Sequence, residues 1–488
     1  MCAYCLAEGI TFRYFEHSSH NILEQATVSF ERGETTVILG NSGCGKSTLA
    51  AVLCGLYPEN GGFLESGTVS VDGRALVSLP YRERSREIAQ LFQNPDLQFT
   101  MGCLREELCF CLENACVPQA DMDRQIALFA DKYLVSDLLD RPFASLSGGE
   151  KQKAALCCLF LVNPKVMILD EPFANLDSDS RDAFLLLLGE KIREGETTVI
   201  AIDHQASNWL SLADRFLVLG EKGAVLRDRI SAADLRKERA FLIQQGLNDP
   251  FATPHRTPHP SAVTDPDVPP VLSLHQASIF HKKNGAALLR QVTLSLPKGR
   301  IAACLGPSGS GKTTFFLTLL GQKPYSGSIL LDGQELRCLN RRDRFSRIGI
   351  VFQNPGNQFI AQTVSEDVRQ SLRTWKKCTA DEAERHVRKL LADYDLENYA
   401  KYSPYMLSQG QQRRLGVLSM LAGGQMLLLL DEPTYGQDGR TTKAIMDQLR
   451  KRAQNGLSVI FSTHDETLAY EYADRIWRVK EGTICEEH

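Results

Sequence analysis

The 488-residue chain has no long apolar run, no strong excess of either charge and no basic, apolar leader. Each of these lacks removes a class of function. Apolar runs such as Phe184–Leu188 and Met426–Leu430 fall far short of the ~20 residues that a membrane-spanning helix needs. The chain is therefore not expected to cross a bilayer by itself. Lys and Arg total 55 against 59 Asp and Glu, a net charge of −4, which leaves no electrostatic footprint for a nucleic acid. Residues 1–10 lack the charged start and apolar stretch of a signal peptide, so the expected compartment is the cytoplasm. The 14 cysteines are scattered. Several, such as Cys157, Cys158 and Cys304, lie in apolar stretches and read as reduced core thiols. Cys2 and Cys5 form a lone C-x-x-C with no second pair, and the expected reading is structural, not metal binding.

What is present is a repeat. GNSGCGKST at Gly40–Thr48 returns as GPSGSGKTT at Gly306–Thr314. LFQNPDLQF at Leu91–Phe99 returns as VFQNPGNQF at Val351–Phe359. LSGGEKQ at Leu146–Gln152 returns as LSQGQQR at Leu407–Arg413, and ILDEP at Ile168–Pro172 as LLDEP at Leu429–Pro433. The offsets hold: Lys46 to Lys312 is 266 residues, Gln93 to Gln353 is 260, Ser147 to Ser408 and Asp170 to Asp431 are 261, and His204 to His464 is 260. The six-residue difference is a longer loop in the first half, where Gly55 to Gly67 spans 12 residues against 6 for Gly321 to Gly327. Between the copies, Asp249–Pro270 holds seven prolines in 22 residues, too many for a helix or a central strand, and reads as a semi-rigid linker. The expected domains are 1–248 and 271–488, joined by 249–270.

In each copy, alternating segments (Ile10–Tyr14 and Thr27–Phe30; Leu272–Phe280 and Val292–Leu296) precede a short apolar strand (Thr36–Leu39; Ile301–Leu305), a Gly-rich loop and a helix. Further apolar strands precede each DEP and each histidine. The expected class is α/β with a mainly parallel core sheet.

G-x-x-x-x-G-K-[ST] after a strand is a phosphate loop: backbone N–H groups wrap phosphates and the following helix aims its positive end at them. The candidates are Gly40, Asn41, Ser42, Gly43, Cys44, Gly45, Lys46, Ser47 and Thr48, and then Gly306, Pro307, Ser308, Gly309, Ser310, Gly311, Lys312, Thr313 and Thr314. Lys46 and Lys312 are expected to reach the β- and γ-phosphates, and Ser47 and Thr313 to hold Mg²⁺ by their hydroxyls. Asp170 and Asp431 end apolar strands where a Mg²⁺ carboxylate is needed. Glu171 and Glu432 follow directly and suit a general base or water-positioning group. Cys44 sits among N–H donors beside Lys46 and is expected to be a reactive thiol. Ser147 with Gly148 and Gly149, and Ser408 with Gly410, read by themselves as ordinary helix N-caps, with an anion site as the alternative.

The ordered set of phosphate loop, FQNP glutamine, LSGG, ILDEP and histidine resembles the ABC ATPase family, over essentially the whole chain and twice. The resemblance implies two tandem ABC ATPase domains, each with a parallel core sheet, an antiparallel β subdomain and a helical subdomain. It implies two ATP sites within one chain, each held by one half and closed by the signature of the other. By the same resemblance Gln93 and Gln353 link the γ-phosphate and its metal to a transport partner. His204 and His464 contact the γ-phosphate, and Asp177 and Asp438 are the D-loop carboxylates. Tyr14 stacks on adenine in the first half, with Phe280 or His281 as its counterpart. Gln409, where glycine is usual, and TYGQD in place of the first half's FANLD depart from the pattern.

FQNPDLQF, FQNPGNQF, LSQGQQRR and DEPTYGQD resemble the ATPases of energy-coupling factor importers, and among them those of hydroxymethylpyrimidine/thiamine uptake. That resemblance implies a transmembrane coupling protein and a small membrane substrate-binding protein as partners. It places the chain peripherally on the cytoplasmic face of the membrane. Fused sugar-importer ATPases and tandem ABC proteins acting on ribosomes are the alternatives. The former typically have one decayed catalytic set and the latter a long charged helical linker, neither of which is found here.

Overall fold

The structure, a computed structural model, describes residues 4–17, 20–173, 176, 178–195, 197–251, 268–282, 285–307, 309–375, 379–407, 409–434 and 439–487. The chain divides at Ala252 into two compact units. The first contains β1 (Cys5–Arg13), β2 (Leu23–Phe30), β3 (Thr35–Gly40), α1 (Lys46–Leu53), β4 (Phe63–Val71), β5 (Arg74–Ala75), α2 (Tyr81–Glu87), β6 (Ile88–Leu91), α3 (Leu104–Asn114), α4 (Gln119–Lys132), α5 (Gly148–Val162), β7 (Val166–Asp170), α6 (Ser178–Arg193), β8 (Thr198–Ile202), β9 (Arg215–Leu219), β10 (Val225–Ile230) and α7 (Arg239–Gln244). The second contains β11 (Pro270–Phe280), β12 (Ala287–Pro297), β13 (Ile301–Leu305), α8 (Lys312–Leu319), β14 (Tyr325–Leu331), β15 (Gln334–Glu335), α9 (Arg341–Arg347), β16 (Ile348–Val351), α10 (Val364–Trp375), α11 (Ala380–Asp393), α12 (Gln409–Ala422), β17 (Leu427–Leu430), α13 (Gly439–Gln454), β18 (Ser458–Thr463), α14 (Glu466–Tyr472), β19 (Arg475–Lys480) and β20 (Thr483–Glu487).

The two units share one topology. A six-stranded sheet runs β6-β7-β8-β3-β9-β10 in the first and β16-β17-β18-β13-β19-β20 in the second. Every neighbouring pair is parallel except the antiparallel edges β9–β10 and β19–β20. A separate antiparallel sheet, β2-β1-β4-β5 or β12-β11-β14-β15, lies apart from it. The expected α/β class therefore holds, with strands that extend beyond the sequence expectation.

The apolar runs explain the layering. Every residue of VMILD in β7 is buried, as befits a strand covered on both faces. Alternate side chains point to opposite faces. Met167 and Leu169 join Val37, Leu39, Val199 and Ala201 in a core that includes residues of α3, α4 and α5. Val166 and Ile168 join Ile38, Ile200 and Ile202 in a second core with α1 and the antiparallel sheet. The second unit repeats this division, with Ile301, Ala303, Leu428 and Leu430 in one core and Ala302, Cys304, Leu427 and Leu429 in the other.

The segment after β10 belongs to the first unit's core. Leu235, Leu242 and Leu247 pack in the same cluster as β3 and β7, with Phe241 and Phe251 against them. Leu242→Ala is expected to cost about 2–5 kcal/mol of stability, the usual range for such a truncation in a core. Urea unfolding of the full chain measures it, and an unchanged midpoint for the first unit would show that this segment contributes no core packing.

Candidate active site

The first phosphate loop leaves the sheet at Gly40. A Cβ there would meet the Leu219 carbonyl at 2.7 Å, so only glycine fits between β3 and β9 at this point. Lys46 opens α1 and is almost fully buried, its Nζ donating to the carbonyls of Gly40 (2.7 Å) and Asn41 (2.9 Å). Lys312 repeats this in the second unit, donating to Gly306 (2.7 Å) and Pro307 (2.9 Å). The lysine ammonium is thus oriented by backbone atoms, and the side chain at the second loop position is free to vary. Cys44 is buried, and its sulfur lies where a Cβ on Gly40 would come within 2.8 Å of it. The thiol that the sequence marks as reactive is therefore packed beneath the loop.

Because β3, β7 and β8 run parallel, their carboxyl ends deliver their side chains to one edge. Ser47 Oγ donates to Asp170 Oδ1 (3.1 Å), and Thr313 Oγ1 donates to Asp431 Oδ2 (2.7 Å). Burial, reinforced by the charge of Glu171, pushes Asp170 up to about 7. Burial also raises Asp431, against the hydrogen bonds from Ser462 and Thr313. A buried carboxylate with its charge penalised, next to a hydroxyl, is a position that a bound divalent cation would relieve.

Glu171 and Glu432 both take left-handed backbone angles, φ +47° and +48°, a conformation unfavourable for a residue with a Cβ. It turns each glutamate away from the strand that its neighbouring aspartate ends. In the first unit Gln93 Nε2 donates to Glu171 Oε2 (2.5 Å), and His204 Nε2 lies 2.6 Å from Glu171 Oε1. Burial alone would raise Glu171, but the charge and hydrogen bond of His204, with Lys46 and Gln93, hold it below the ordinary glutamate range. Behind His204, Asp203 accepts from Trp209 Nε1 (2.8 Å) and the Gln205 N–H (2.8 Å), which fixes the turn after β8. In the second unit the histidine stands off. His464 Nδ1 is 3.7 Å from Glu432 Oε2, and its side chain is 41 % exposed against 8 % for His204. Lys312 Nζ is also 3.7 Å from Glu432. Burial again pushes Glu432 up and is outweighed by His464, Lys312 and Arg413, so it too sits low.

Tyr14 follows β1 directly, 43 % exposed, its hydroxyl 2.8 Å from Thr48 Oγ1 at the start of α1. Its ring meets Phe12 and Tyr57 edge-on, and those two stack on each other at 5.2 Å. Tyr57 comes from the longer loop of the first half, so that insertion buttresses the exposed ring. Strand register settles the counterpart: Phe12 pairs with Leu23 as Ile279 pairs with Leu289, which makes His281, exposed after β11, the equivalent of Tyr14.

Ser147 is the N-cap of α5 in a capping box, accepting from the Glu150 N–H (3.3 Å) while Glu150 accepts from the Ser147 N–H (2.7 Å). Gly148 and Gly149 form its first turn. Gly410 lies in α12. Ser308, Ser408, Asp177 and Asp438, the Gln409 side chain, Cys2 and linker residues 252–267 lie outside the described residues. Among the described residues, no group of three or more His, Cys, Asp or Glu side chains is placed to hold a metal ion. Two residues were missed by sequence reasoning. Ser462 is buried, donates to Asp431 Oδ1 (2.6 Å) and accepts from the Glu432 N–H (2.9 Å). Arg413 is buried beside Gln353 and Glu432. Its only sequence signal is a charge in LSQGQQR where the first half has Gln152.

A model of the ABC transporter family matches residues 23–174 and 289–435. The "Putative HMP/thiamine import ATP-binding protein YkoD" of Bacillus subtilis is 33 % identical, over 96 % of this chain and 88 % of that protein. A "Putative ABC transporter ATP-binding protein" of Methanosarcina mazei is 31 % identical over 98 % and 87 %. One of Streptococcus mutans is 32 % identical over 98 % and 89 %. A solved structure of cbiO1 from Clostridium perfringens, part of the ABC transporter complex cbiONQ, is 29 % identical with a TM-score of 0.40, over 44 % of this chain and 87 % of that one.

If the Tyr14 ring carries a nucleobase, Tyr14→Ala is expected to weaken one of two ATP-binding events by about 1–3 kcal/mol, the scale of a lost base–aromatic stack. Tyr14→Phe, which keeps the ring and loses the bond to Thr48, should stay near wild type. Calorimetric titration of the full chain distinguishes this from an ordinary surface tyrosine, for which both variants would bind alike.

Proposed function

The chain belongs to the ABC transporter family, whose model matches both halves, and on that premise we propose that it energises a membrane importer of the energy-coupling factor type. It is an ABC-type ATPase, and the proposed cargo is a vitamin or a metal ion. Its proposed partners are a transmembrane coupling protein and a small substrate-binding membrane protein, which hold it peripherally on the cytoplasmic face. Likeness to an HMP/thiamine import protein over 96 % of the chain supports the import direction.

The observation that carries the proposal of a membrane partner is an exposed apolar side chain on the corresponding loop of each half, at non-equivalent positions. Leu97 is 77 % exposed just after Gln93, and Ile360 is 71 % exposed just after Gln353. Both loops are built firmly. Gln98 Oε1 accepts from the Phe92 N–H (3.3 Å), and Gln358 Oε1 from the Phe352 N–H (3.2 Å). The buried carboxylate of Glu107 receives the N–H groups of Thr100 and Met101, and that of Asp367 receives those of Ile360 and Ala361. A single exposed apolar side chain is ordinary on a protein surface; what favours docking is that each stands on an ordered loop that also carries the glutamine the family resemblance links to a transport partner. No helix among the described residues is long and apolar enough to cross a membrane.

Each half brings its own hydrolytic set. Lys46 and Lys312 would meet the phosphates. Ser47 with Asp170, and Thr313 with Asp431, would hold Mg²⁺, which when bound neutralises phosphate charge. Gln93 and Gln353 stand beside the same edge of the sheet and report its state to the partner. Glu171 and Glu432 orient or deprotonate the attacking water, and His204 and His464 hold the γ-phosphate.

Replacing both glutamates by glutamine is expected to lower ATP hydrolysis by at least about a hundredfold, the lower bound for losing a general base, while ATP still binds. Leu97→Asp with Ile360→Asp is expected to leave the basal rate intact and to abolish its stimulation by membrane proteins encoded beside this gene. Stimulation that survives both aspartates would reject this docking surface. Co-purification with ribosomes in place of membrane protein would reject the importer.

A further inference from the structure

The two units hold their hydrolytic glutamate by different means, and Arg413 makes the difference. In the second unit it lies on the first turns of α12, only 4 % exposed. Its guanidinium forks. Nη2 donates to the Gln353 carbonyl at 2.5 Å, and Nη1 donates to the Glu432 carbonyl. Gln353 follows β16 and Glu432 follows β17, so one side chain ties together the ends of two neighbouring loops. A planar guanidinium presents its donors in a rigid fork, which suits bridging two carbonyls carried by different loops.

The Glu432 peptide needs such support. Its φ of +48° is held only if the surroundings fix it. Its N–H is taken by Ser462 Oγ (2.9 Å) and its carbonyl by Arg413, so the strained residue is pinned at both ends. In the first unit the Glu171 N–H is likewise held, by the Ile202 carbonyl (2.9 Å), and the side chain is clamped by Gln93 and His204 at 2.5 and 2.6 Å; what differs is the arginine on the Glu432 carbonyl. At the place of Arg413 it has Gln152, fully buried, whose amide meets no hydrogen-bond partner among the described residues.

We infer that Arg413 is a positioning residue for hydrolysis in the second half, aligning Glu432 with the Gln353 loop through their main-chain carbonyls. This rests on the assignment of Glu432 as the water-orienting carboxylate. Loss of the fork leaves the phosphate loop intact, because Lys312 is held by Gly306 and Pro307. It frees the glutamate's backbone, and misplacement by about 1 Å can cost roughly a hundredfold in rate.

The test uses the full chain with its membrane partner. In a Glu171→Gln background, which silences the first half's set, Arg413→Gln, which installs the first half's residue, is expected to lower the remaining kcat about tenfold or more, with KM for ATP and the affinity for a non-hydrolysable ATP analogue staying within about twofold. Arg413→Lys, which keeps the charge but loses the planar fork, should fall between. A kcat in Arg413→Gln unchanged from that background overturns the inference. So does a loss of analogue binding in step with kcat, which is the mark of a merely structural residue. Glu432→Gln, measured alongside, separates the two readings. If it abolishes turnover while Arg413→Gln does not, only the positioning role fails. If it leaves turnover intact, the assignment of Glu432 fails.

Discussion

Everything in each unit depends on parallel pairing in the core sheet. Parallel strands carry their following loops to the same edge, so chemistry encoded far apart in sequence converges without any dedicated contact between those segments. Ser47 and Asp170 are 123 residues apart and hydrogen bonded, and Thr313 and Asp431 are 118 apart and hydrogen bonded. The buried register of β7 between β6 and β8 matters more to this than any one polar bond. Slipping β7 by one residue would exchange its two core faces and turn Asp170 away from Ser47.

Much of this was legible in the sequence, because the repeat reports backbone requirements twice. Gly-rich loops, apolar strands and terminal carboxylates recur at nearly constant offsets, and the strands, the phosphate loops and the pairing of hydroxyl with aspartate follow from them. What stayed hidden concerns side chains whose role is set by tertiary neighbours. Ser462 stands at the end of an apolar strand with nothing to distinguish it from a core serine until Asp431 and the Glu432 N–H are seen beside it. Arg413 looks like one more charge on a helix, and charges on helices are usually solvated. Phe280 and His281 could not be separated by spacing, because only the pairing of β11 with β12 fixes the register. Ser147 shows the opposite limit: the N-cap reading, open from sequence, describes its bonds in this unit.

The two halves also show how one strained turn is maintained by unlike means. A carboxylate side chain clamped by Gln93 and His204 is rigid but occupied, since both oxygens carry short contacts. A carboxylate whose backbone is clamped, as at Glu432, leaves its oxygens at 3.7 Å from Lys312 and His464. The first arrangement keeps the carboxylate close against two side chains, whereas the second leaves it standing off from both neighbours. Duplicated sequence motifs therefore do not imply duplicated energetics, and the departures in the second half read as a change of support more than as decay.

The second position of the phosphate loop makes the same distinction within nine residues. Asn41 and Pro307 both offer a carbonyl to the following lysine, at 2.9 Å in each unit, so the backbone role is indifferent to the side chain. Asn41 has a further use that proline lacks. Its Nδ2 donates to the Gln245 carbonyl at 2.6 Å, at the end of the segment whose leucines enter the first unit's core. The stretch that leads into the proline-rich connection is thus fastened both to that core and to the rim of a phosphate loop. A substitution at Asn41 would leave the lysine's backbone partners in place and still loosen what the loop is tied to, so the loop's ligand geometry and its tether are separable properties of one residue.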